Sequence, residues 1–494
     1  MIARGIFLFL VCAPLGLSAQ EMRDHPVPAR LGTVSFHISC APAVRAEFNR
    51  GVALLHSFAF AAAHTTFRKI AAKDPQCAIA HWGVAMSDFH EQWEPQLPPA
   101  TLPEAKHEIE LAQTLGSPST REREYIHALS LVFANSDTVP FAARDLNYEH
   151  AMAELARDND DVEAQVFYAL SLLSNVSLAD KTHARQKQAL AILEPLDRKY
   201  PDHPGITHYI IHACDSSELA ERGLPAARKY AQIAPDAPHA LHMPSHIFTR
   251  LGLWQDSIAS NLAAGKAARD QGDLGEELHS MDYLVYAYLQ LGRYDDAHQV
   301  LDHLASMNKA IRGDFKSGYA ATAMPVRFAV EQARWDEAAN IQPIPGSPPH
   351  VAAIAVWART LGIVRGKQPA DVGANITQLQ KYEDDLHRAG NEYWAAQVHI
   401  LASEVAAWSA QANRDPQKAL TEMRAAADQE DAIEKSPATP GPIIPAREQL
   451  GYLLLQQHHL YEAGVTFRKS LVDAPGRRGA IEGLGLALLT KSER

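Results

Sequence analysis

The chain has 494 residues, and its 46 Lys and Arg against 58 Asp and Glu give a formal net charge of −12. This length is too great for one compact core but is normal for a repeat solenoid or for two to three domains. An acidic chain without a basic cluster argues against nucleic acid and anionic lipid as partners. The sequence also has no Walker loop, no dinucleotide-binding fingerprint and no Cys-x-x-Cys-His haem motif.

The first residues have the pattern of a secretory signal peptide, which we expect to span residues 1–19. Arg4 is their only charge, an apolar run from Gly5 to Leu17 follows, and Ala19 is a small residue at the expected cleavage point. The alternative is an uncleaved membrane anchor, but the apolar run is short for a membrane span. No later stretch is long and apolar enough to span a bilayer. We therefore expect that the protein is not an integral membrane protein once the signal peptide has been cleaved.

Most of the chain follows the tetratricopeptide repeat (TPR), in which two antiparallel helices form one unit. Such a unit has small residues at positions 8 and 20, an aromatic residue at 24 and proline at 32. These positions are held by Gly51, Ala63, Phe67 and Pro75 in the first unit and by Gly451, Ala463, Phe467 and Pro475 in the last. No stretch alternates apolar and polar residues as a strand would. We therefore predict an all-α fold, a TPR-type α-solenoid that winds into a right-handed superhelix.

The pattern divides the chain into segments after the signal peptide. Residues 20–43 are an irregular N-terminal lead, residues 44–341 a TPR superhelix, and residues 350–494 a set of C-terminal helical or TPR repeats. A Pro-rich loop at 342–349 separates the last two. A second Pro-rich stretch, Lys435–Pro445, contains four prolines and cannot be helical.

Two histidine pairs in the middle of the chain repeat with the TPR period. His208 and His212 fall on His242 and His246 after a shift of 34 residues, which is the length of one repeat. The spacing i, i+4 puts both members of a pair on one face of a helix. Two neighbouring helices of the solenoid should therefore present the same His-x-x-x-His face side by side.

More polar side chains fall on groove positions of the same three repeats. In this repeat class, positions 2, 5, 9, 12 and 13 line the concave groove. Those positions are occupied by His208, His212, Asp215, His239, His242, His246, His279 and Asp282. An earlier pair, His56 and His90, also lies 34 residues apart at position 13 and forms a second candidate groove pair.

This set of groove residues suggests a transition-metal site. Neutral imidazole is the commonest protein ligand for such metals, and we expect a divalent ion such as Zn, Cu or Fe. Two His-x-x-x-His faces supply three or four nitrogens, and Asp215 or Asp282 supplies an oxygen ligand or an acceptor behind a ligand. Two alternatives remain open: a polar wall that binds a peptide or carboxylate without metal, and a pH-sensing cluster.

Three cysteines follow the predicted signal peptide. Cys40 precedes the first repeat helix and Cys77 precedes the third, close to one period later. Because those helices stack as neighbours and start at the same end, we predict a Cys40–Cys77 disulfide in an oxidising compartment. Cys214 is left over, either as a metal ligand or as a small core residue.

Four segments carry a resemblance to a known group of proteins. They are Phe48–Phe58 (FNRGVALLHSF), Ala80–Ser87 (AHWGVAMS), His208–His212 (HYIIH) and His242–Phe248 (HMPSHIF). On these segments the chain resembles bacterial secreted TPR proteins, over most of residues 35–300. The resemblance implies the TPR fold and a periplasmic or secreted bacterial protein, and it implies no particular reaction.

The expected function is binding of a peptide, a protein or a small ligand in the concave groove, coupled to a bound divalent metal. One alternative is a metalloenzyme with an open coordination position. Another is a metal-free TPR scaffold for an envelope complex. A pocket plugged by 342–349 or 435–445 would favour a small substrate, whereas an open trough would favour a peptide.

Overall fold

The fold is all-α, as predicted. The computed structural model describes residues 27–89, 100–158, 160–307, 315–366 and 371–492, and these residues contain helices and no β-strand. Most helices pack against the helix before and the helix after along the chain, which builds a solenoid. None of the described helices is both long and apolar enough to cross a membrane.

The helices are numbered α1 to α24 in chain order. The first part of the stack contains α1 (Arg45–His56), α2 (Phe60–Lys73), α3 (Ala78–Asp88), α4 (Leu102–Leu115), α5 (Thr120–Phe133), α6 (Phe141–Leu155), α7 (Val162–Ser174) and α8 (Ala184–Lys199). The middle contains α9 (Pro204–Ala213), α10 (Ala220–Ile233), α11 (Pro238–His242), α12 (Pro244–Arg250), α13 (Trp254–Gln271), α14 (Leu274–Gln290), α15 (Tyr294–Ser306), α16 (Phe315–Glu331) and α17 (Trp335–Ala338). The last part contains α18 (Pro349–Arg365), α19 (Gly373–Arg388), α20 (Glu392–Ala412), α21 (Pro416–Asp431), α22 (Ala446–Gln456), α23 (Leu460–Asp473) and α24 (Arg478–Ser492).

The small and aromatic positions of the repeat pack as the TPR pattern requires. A Cβ atom added at Gly51 on α1 would lie 2.7 Å from the ring of Phe67 on α2, and one at Gly83 on α3 would lie closer still. The same contact recurs near the other end of the chain, where a Cβ at Gly451 would lie 2.6 Å from Phe467. Glycine is needed because the aromatic ring occupies the space of a side chain.

The buried apolar side chains form three clusters, and a buried ion pair joins the last repeat to the middle of the stack. The clusters span Leu31–Phe248, Trp254–Phe328 and Tyr319–Ala487. Arg477, which immediately precedes α24, is fully buried and donates from Nη1 to Glu331 on α16 at 2.9 Å. The two residues are 146 positions apart in sequence, so the bond ties the last repeat to the middle of the stack.

A proline interrupts the helix that carries the second histidine pair. Pro244 has no backbone N–H, so it cannot continue the hydrogen-bond ladder of α11. The first segment ends at His242, and α12 begins at Pro244 with this proline in its first turn. His242 and His246 therefore lie on two short helices that meet at Met243.

The stretch Lys435–Pro445, here called the plug, folds back against the central repeats. Lys435 Nζ donates to Asp215 Oδ2 at 2.7 Å, and the Tyr283 hydroxyl donates to the Thr439 carbonyl at 3.2 Å. Arg327 on α16 donates to the carbonyls of residues 441 and 442 at 3.2 and 2.8 Å. The prolines keep the plug out of a helix, which leaves its carbonyls available to these side chains.

Ahead of the first helix, residues 27–41 contain no helix and lie along the stack. Thr33 N donates to the Asp202 carbonyl at 2.9 Å, and Phe36 is buried. The structure joins Cys40 to Cys77 in a disulfide. The signal peptide predicted for residues 1–19 lies outside the described residues.

Reduction of the Cys40–Cys77 bond is expected to lower the free energy of unfolding by roughly 2–4 kcal/mol, because the bond closes a long loop in the unfolded chain. The two cysteines are 37 positions apart. Thermal unfolding with and without dithiothreitol measures the effect. The double variant Cys40→Ala, Cys77→Ala should unfold like the reduced protein and ignore the reductant. A wild-type midpoint that does not respond to reduction would contradict the prediction.

Candidate metal centre

The central histidines form two groups of three. In each group, one ligand atom from every member lies within 4.8 Å of the others. The first triad is His208, His212 and His239, and the second triad is His242, His246 and His279. All six side chains are buried, with 0–8% of their surface exposed.

Each triad combines residues from two successive repeats. The His-x-x-x-His pair comes from one unit, and the third histidine comes from position 2 of the next unit. The triads adjoin each other, since the ring centroids of His239 and His242 are 6.1 Å apart and those of His212 and His246 are 6.3 Å apart. The sequence predicted three or four nitrogens on one ion, whereas the structure separates the six imidazoles into two sets.

Hydrogen bonds fix the tautomer of His242 in the second triad. Its Nδ1 lies 2.7 Å from Asn261 Oδ1. The Asn261 amide nitrogen donates to the Ser257 carbonyl at 2.8 Å, so the oxygen of this amide is turned towards the imidazole. His242 Nδ1 must therefore carry the proton and donate it, which leaves the lone pair on Nε2.

The same reasoning applies to His246. Its Nδ1 donates to Asp215 Oδ2 at 2.9 Å, so its lone pair is also on Nε2. The two Nε2 atoms of His242 and His246 face each other at 3.0 Å. Two nitrogen ligands at about 2.0–2.1 Å from one ion lie roughly 2.9–3.3 Å apart for bond angles of 90–110°. A cation bound between the two nitrogens would stabilise two lone pairs that face each other at this distance.

The first triad has a related arrangement. His208 Nδ1 donates to the backbone carbonyl of His56 at 2.6 Å, which leaves the His208 lone pair on Nε2. That atom lies 3.0 Å from His212 Nε2. His239 Nδ1 lies 3.2 Å from Glu276 Oε1, so a carboxylate stands behind this imidazole. Such acceptors orient a ligand ring and raise the basicity of its other nitrogen.

Aromatic side chains hold the imidazole rings in place. Tyr230 stacks on His208 with centroids 5.1 Å apart, and Phe58 stacks on His239 at the same distance. Tyr283 meets His242 edge-on at 4.7 Å, and its hydroxyl lies 3.4 Å from both ring nitrogens of His246. These contacts restrict ring rotation, which a preorganised ligand set requires.

Asp215 stands behind the second triad and is not one of its three members. Besides the bond from His246, its carboxylate accepts from Arg250 Nε at 2.9 Å and from Lys435 Nζ at 2.7 Å. Burial would raise the pKa of Asp215, but Lys435 and Arg250 hold it well below its usual range. The carboxylate is therefore ionised and positions His246 from behind.

Asp282 is not a member of either triad. Its Oδ1 is 3.6 Å from Nε of the buried Arg327. Burial raises the pKa of Asp282 to about 6, although Arg327 opposes the change. The structure thus places this carboxylate against a buried guanidinium.

Burial keeps four of the triad imidazoles neutral. Burial lowers the pKa of His208, His212 and His242 well below the ordinary value, and the neighbouring histidines lower it further. Burial also lowers the pKa of His246, although Asp215 opposes the change. Neutral imidazole is the form that binds metal, so these nitrogens are available as ligands at neutral pH.

Metal-free protein is expected to lose stability as the pH falls below about 6.5, the ordinary pKa of histidine. The folded-state pKa of these histidines is depressed, so the unfolded chain binds more protons than the folded chain in acid. Urea unfolding of chelator-treated protein at pH 7.5, 6.5 and 5.5 measures the trend. The variant His242→Ala, His246→Ala should show a shallower decline. A midpoint that stays constant over this range would contradict the prediction.

His56, the first member of the second groove pair, belongs to a separate buried network. Its Nδ1 lies 2.9 Å from the Tyr209 hydroxyl, and its Nε2 lies 2.8 Å from Glu163 Oε2. His203 Nε2 binds the other Glu163 oxygen at 3.0 Å, and its Nδ1 accepts the backbone N–H of Ile206. Both ring nitrogens of each histidine are thus used in hydrogen bonds. The predicted partner, His90, lies outside the described residues.

Cys214 is a core residue rather than a member of either triad. It is fully buried, and burial raises the pKa of its thiol to about 12. A thiol ligand binds metal as the thiolate. A Cβ added at Gly223 on α10 would lie 2.6 Å from the Cys214 Cβ, which shows how closely the two helices pack here.

Several residues that shape the site were not predicted from the sequence. Asn261, Glu276 and Lys435 hold members of the site through the bonds described above. Asn261 lies on α13, the helix that follows the histidine helices, and no groove position of the repeat marks it. Tyr283 immediately follows the predicted Asp282, so its place beside a groove residue is the only signal that the sequence offers.

Comparisons with known proteins show fold likeness only. No protein-family model and no curated protein matches this chain. Among solved structures, an IFIT1 monomeric mutant with Gppp-AAAA has 11% identity and a TM-score of 0.37, with 84% of this chain and 90% of that chain covered. Yeast Tom70 has 10% identity and a TM-score of 0.33, with 90% and 88% covered. The P58(IPK) TPR domain has 13% identity and a TM-score of 0.22, with 92% and 99% covered.

Proposed function

We propose that this chain is an exported TPR-type protein that holds two divalent transition-metal ions, one in each histidine triad, and presents them to a small molecule. The observation that carries the proposal is the pair of Nε2 atoms of His242 and His246. Their Nδ1 protons are donated elsewhere, and their lone pairs face each other at 3.0 Å. A cation bound between the two nitrogens would remove the repulsion between their lone pairs.

Two ions fit the geometry better than one. Each triad gathers three donor atoms within 4.8 Å of one another. Three imidazoles per ion leave a coordination position for water or a ligand, as in catalytic zinc sites. All the proposed donors are imidazole nitrogens, a set that suits Zn, Cu and Fe, and among these divalent ions Cu binds such sites most tightly.

The plug supports a small molecule rather than a peptide at this centre. A peptide would lie along an open concave groove, but here Lys435 and Thr439 of the plug bind Asp215 and Tyr283 beside the second triad. The six histidines are themselves buried. This argument concerns the histidine centre only and does not bear on peptide binding at other surfaces of the solenoid.

The second candidate function is that of a metalloenzyme. It is favoured by the three-nitrogen ligand sets and by the Tyr283 hydroxyl, a polar group that lies 3.4 Å from His246 Nδ1 and Nε2, beside the proposed ion. Asp215 is a poor general base because Lys435 and Arg250 bind its carboxylate. In this function a bound metal would supply Lewis acidity, and this chain's residues would orient the ligand and exclude water.

Elemental analysis tests the proposal. Protein purified without a histidine tag or chelator should contain about two ions of Zn, Cu or Fe per chain, and chelator-treated protein should take up two again. Protein that contains none of these ions and takes up none would contradict the proposal. The function that would then remain is that of a metal-free TPR scaffold. Cell fractionation tests export, which rests on the pattern of residues 1–19.

A further inference from the structure

The side chain of Phe58 lies over the middle of the first triad. Its ring centroid is 4.5 Å from that of His208, 5.6 Å from that of His212 and 5.1 Å from that of His239. A point at similar distances from three rings lies near the axis through the middle of their triangle. The nitrogens converge towards this axis, since the Nε2 atoms of His208 and His212 are 3.0 Å apart and their ring centroids 4.7 Å apart. The Phe58 ring therefore covers one face of the triad.

Tyr283 has the same relation to the second triad. Its ring centroid is 4.7 Å from that of His242, 5.1 Å from that of His246 and 5.3 Å from that of His279. The nitrogens converge here as well, because the Nε2 atoms of His242 and His246 are 3.0 Å apart and their ring centroids 4.9 Å apart. Each triad thus has one aromatic ring over one of its faces.

The backbone of Phe58 gives independent support to a role for its side chain. Phe58 follows α1 with φ = 52°, whereas the matching turns after α12 and α14 hold Gly252 and Gly292 with φ of 68° and 67°. Glycine is the usual residue at such helix ends. Arg414 and His458 also take this conformation after α20 and α22, but their side chains are exposed, while that of Phe58 is buried. Bulky residues with positive φ are uncommon and cluster at functional sites.

We infer that Phe58 and Tyr283 set the coordination number of the bound ions and thereby determine which metals the centre accepts. Each ring closes one face of its triad, so three imidazoles and a single ligand on the other face complete the shell. The inference rests on the proposed function, because the rings act on ions that the triads would hold. Four ligands in a tetrahedron suit Zn. Fe(II) sites keep several open positions, so Fe(II) needs ligands on both faces and is disfavoured.

Cobalt(II) tests the inference, because four-coordinate Co(II) absorbs visible light far more strongly than five- or six-coordinate Co(II). The variant His242→Ala, His246→Ala keeps only the first triad, and His208→Ala, His212→Ala keeps only the second. Both proteins should show the strong absorption when loaded with Co(II). Adding Phe58→Ala should remove most of it from the first-triad protein, because water can then enter on the open face. The same change should weaken Zn binding there about tenfold.

The second triad supplies the crossed control. Phe58→Ala should leave the absorption of the second-triad protein unchanged, which also shows that the variant is folded. Tyr283→Ala should have the opposite pattern and act on the second triad only. Tyr283→Phe keeps the ring without the hydroxyl and should keep the strong absorption. His458→Ala, at the exposed position of a matching turn, should change neither triad.

The outcomes separate this inference from the proposed function. Weak absorption of Co(II) bound to either single-triad protein would overturn the inference without any further variant, because that ion would have more than four ligands despite the ring. Strong absorption that survives Phe58→Ala at the first triad, or falls equally at both triads, would also overturn it. Protein that binds neither Co(II) nor Zn would refute the proposed function, and the inference with it.

Discussion

Replacing His242 and His246 together by alanine should reduce the bound metal from two ions per chain to one. The double variant loses two of the three nitrogens of the second triad, and a single remaining imidazole does not hold an ion in competition with water. The first triad keeps all its members, so its ion should stay. Elemental analysis after dialysis counts the ions, and circular dichroism should show unchanged helix content, because alanine is the best helix former.

Matched variants make this result specific. His208→Ala with His212→Ala should remove the other ion and leave the second triad loaded. His298→Ala with His387→Ala removes two histidines whose side chains are 57% and 48% exposed, and should leave both ions in place. Two ions retained in His242→Ala, His246→Ala would show that the second triad is not a metal site. Loss of both ions in either triad variant would indicate that the two triads bind metal only as one joint site.

Arg327→Met is expected to lower the free energy of unfolding by about 3–5 kcal/mol, as breaking a buried ion pair does. Arg327 is fully buried, lies 3.6 Å from Asp282, and donates to the carbonyls of Pro442 and Gly441. The substitution leaves the carboxylate without its counter-ion and the plug without its anchor. Urea unfolding measures the change, and the exposed substitution Arg388→Met is the control, expected within about 0.5 kcal/mol of wild type.

The pH dependence of Arg327→Met identifies the cause. Without Arg327, the pKa of Asp282 should rise above its present value of about 6, because burial is then unopposed. An acid with a raised pKa destabilises the folded state as the pH rises through that range, so the deficit should be smaller at pH 5.5 than at pH 8. Adding Asp282→Asn should restore part of the stability and flatten the curve. A deficit that is independent of pH would assign the loss to the plug contacts instead.

The repeat architecture was accessible from the sequence because it depends on local rules. The pairs Gly51 with Phe67 and Gly451 with Phe467 follow from fixed positions within one unit, and the structure packs them as the pattern requires. The same register placed the six triad histidines on neighbouring helices. That part of the site is a consequence of periodicity.

What the sequence could not supply depends on contacts between distant segments. The register predicts which side chains share a face, but the division into two triads depends on the spacing between units. It also depends on which nitrogen of each ring carries the proton. The latter is set by Asn261 and Asp215, and neither follows from the His-x-x-x-His spacing. The plug is attached beside the site by a bond between Lys435 and Asp215, which are 220 positions apart in the sequence.

The position of the plug in the chain also sets an order of assembly. Synthesis from the N-terminus at about 5–20 residues per second makes Asp215 roughly 10–40 s before Lys435. Until the later segment arrives, the histidines lack their cover and meet whichever ions the compartment supplies. Closure then separates the histidines from the surroundings. If the centre binds metal as proposed, the identity of the ion would depend on the supply of ions during maturation as well as on the affinity of the finished site.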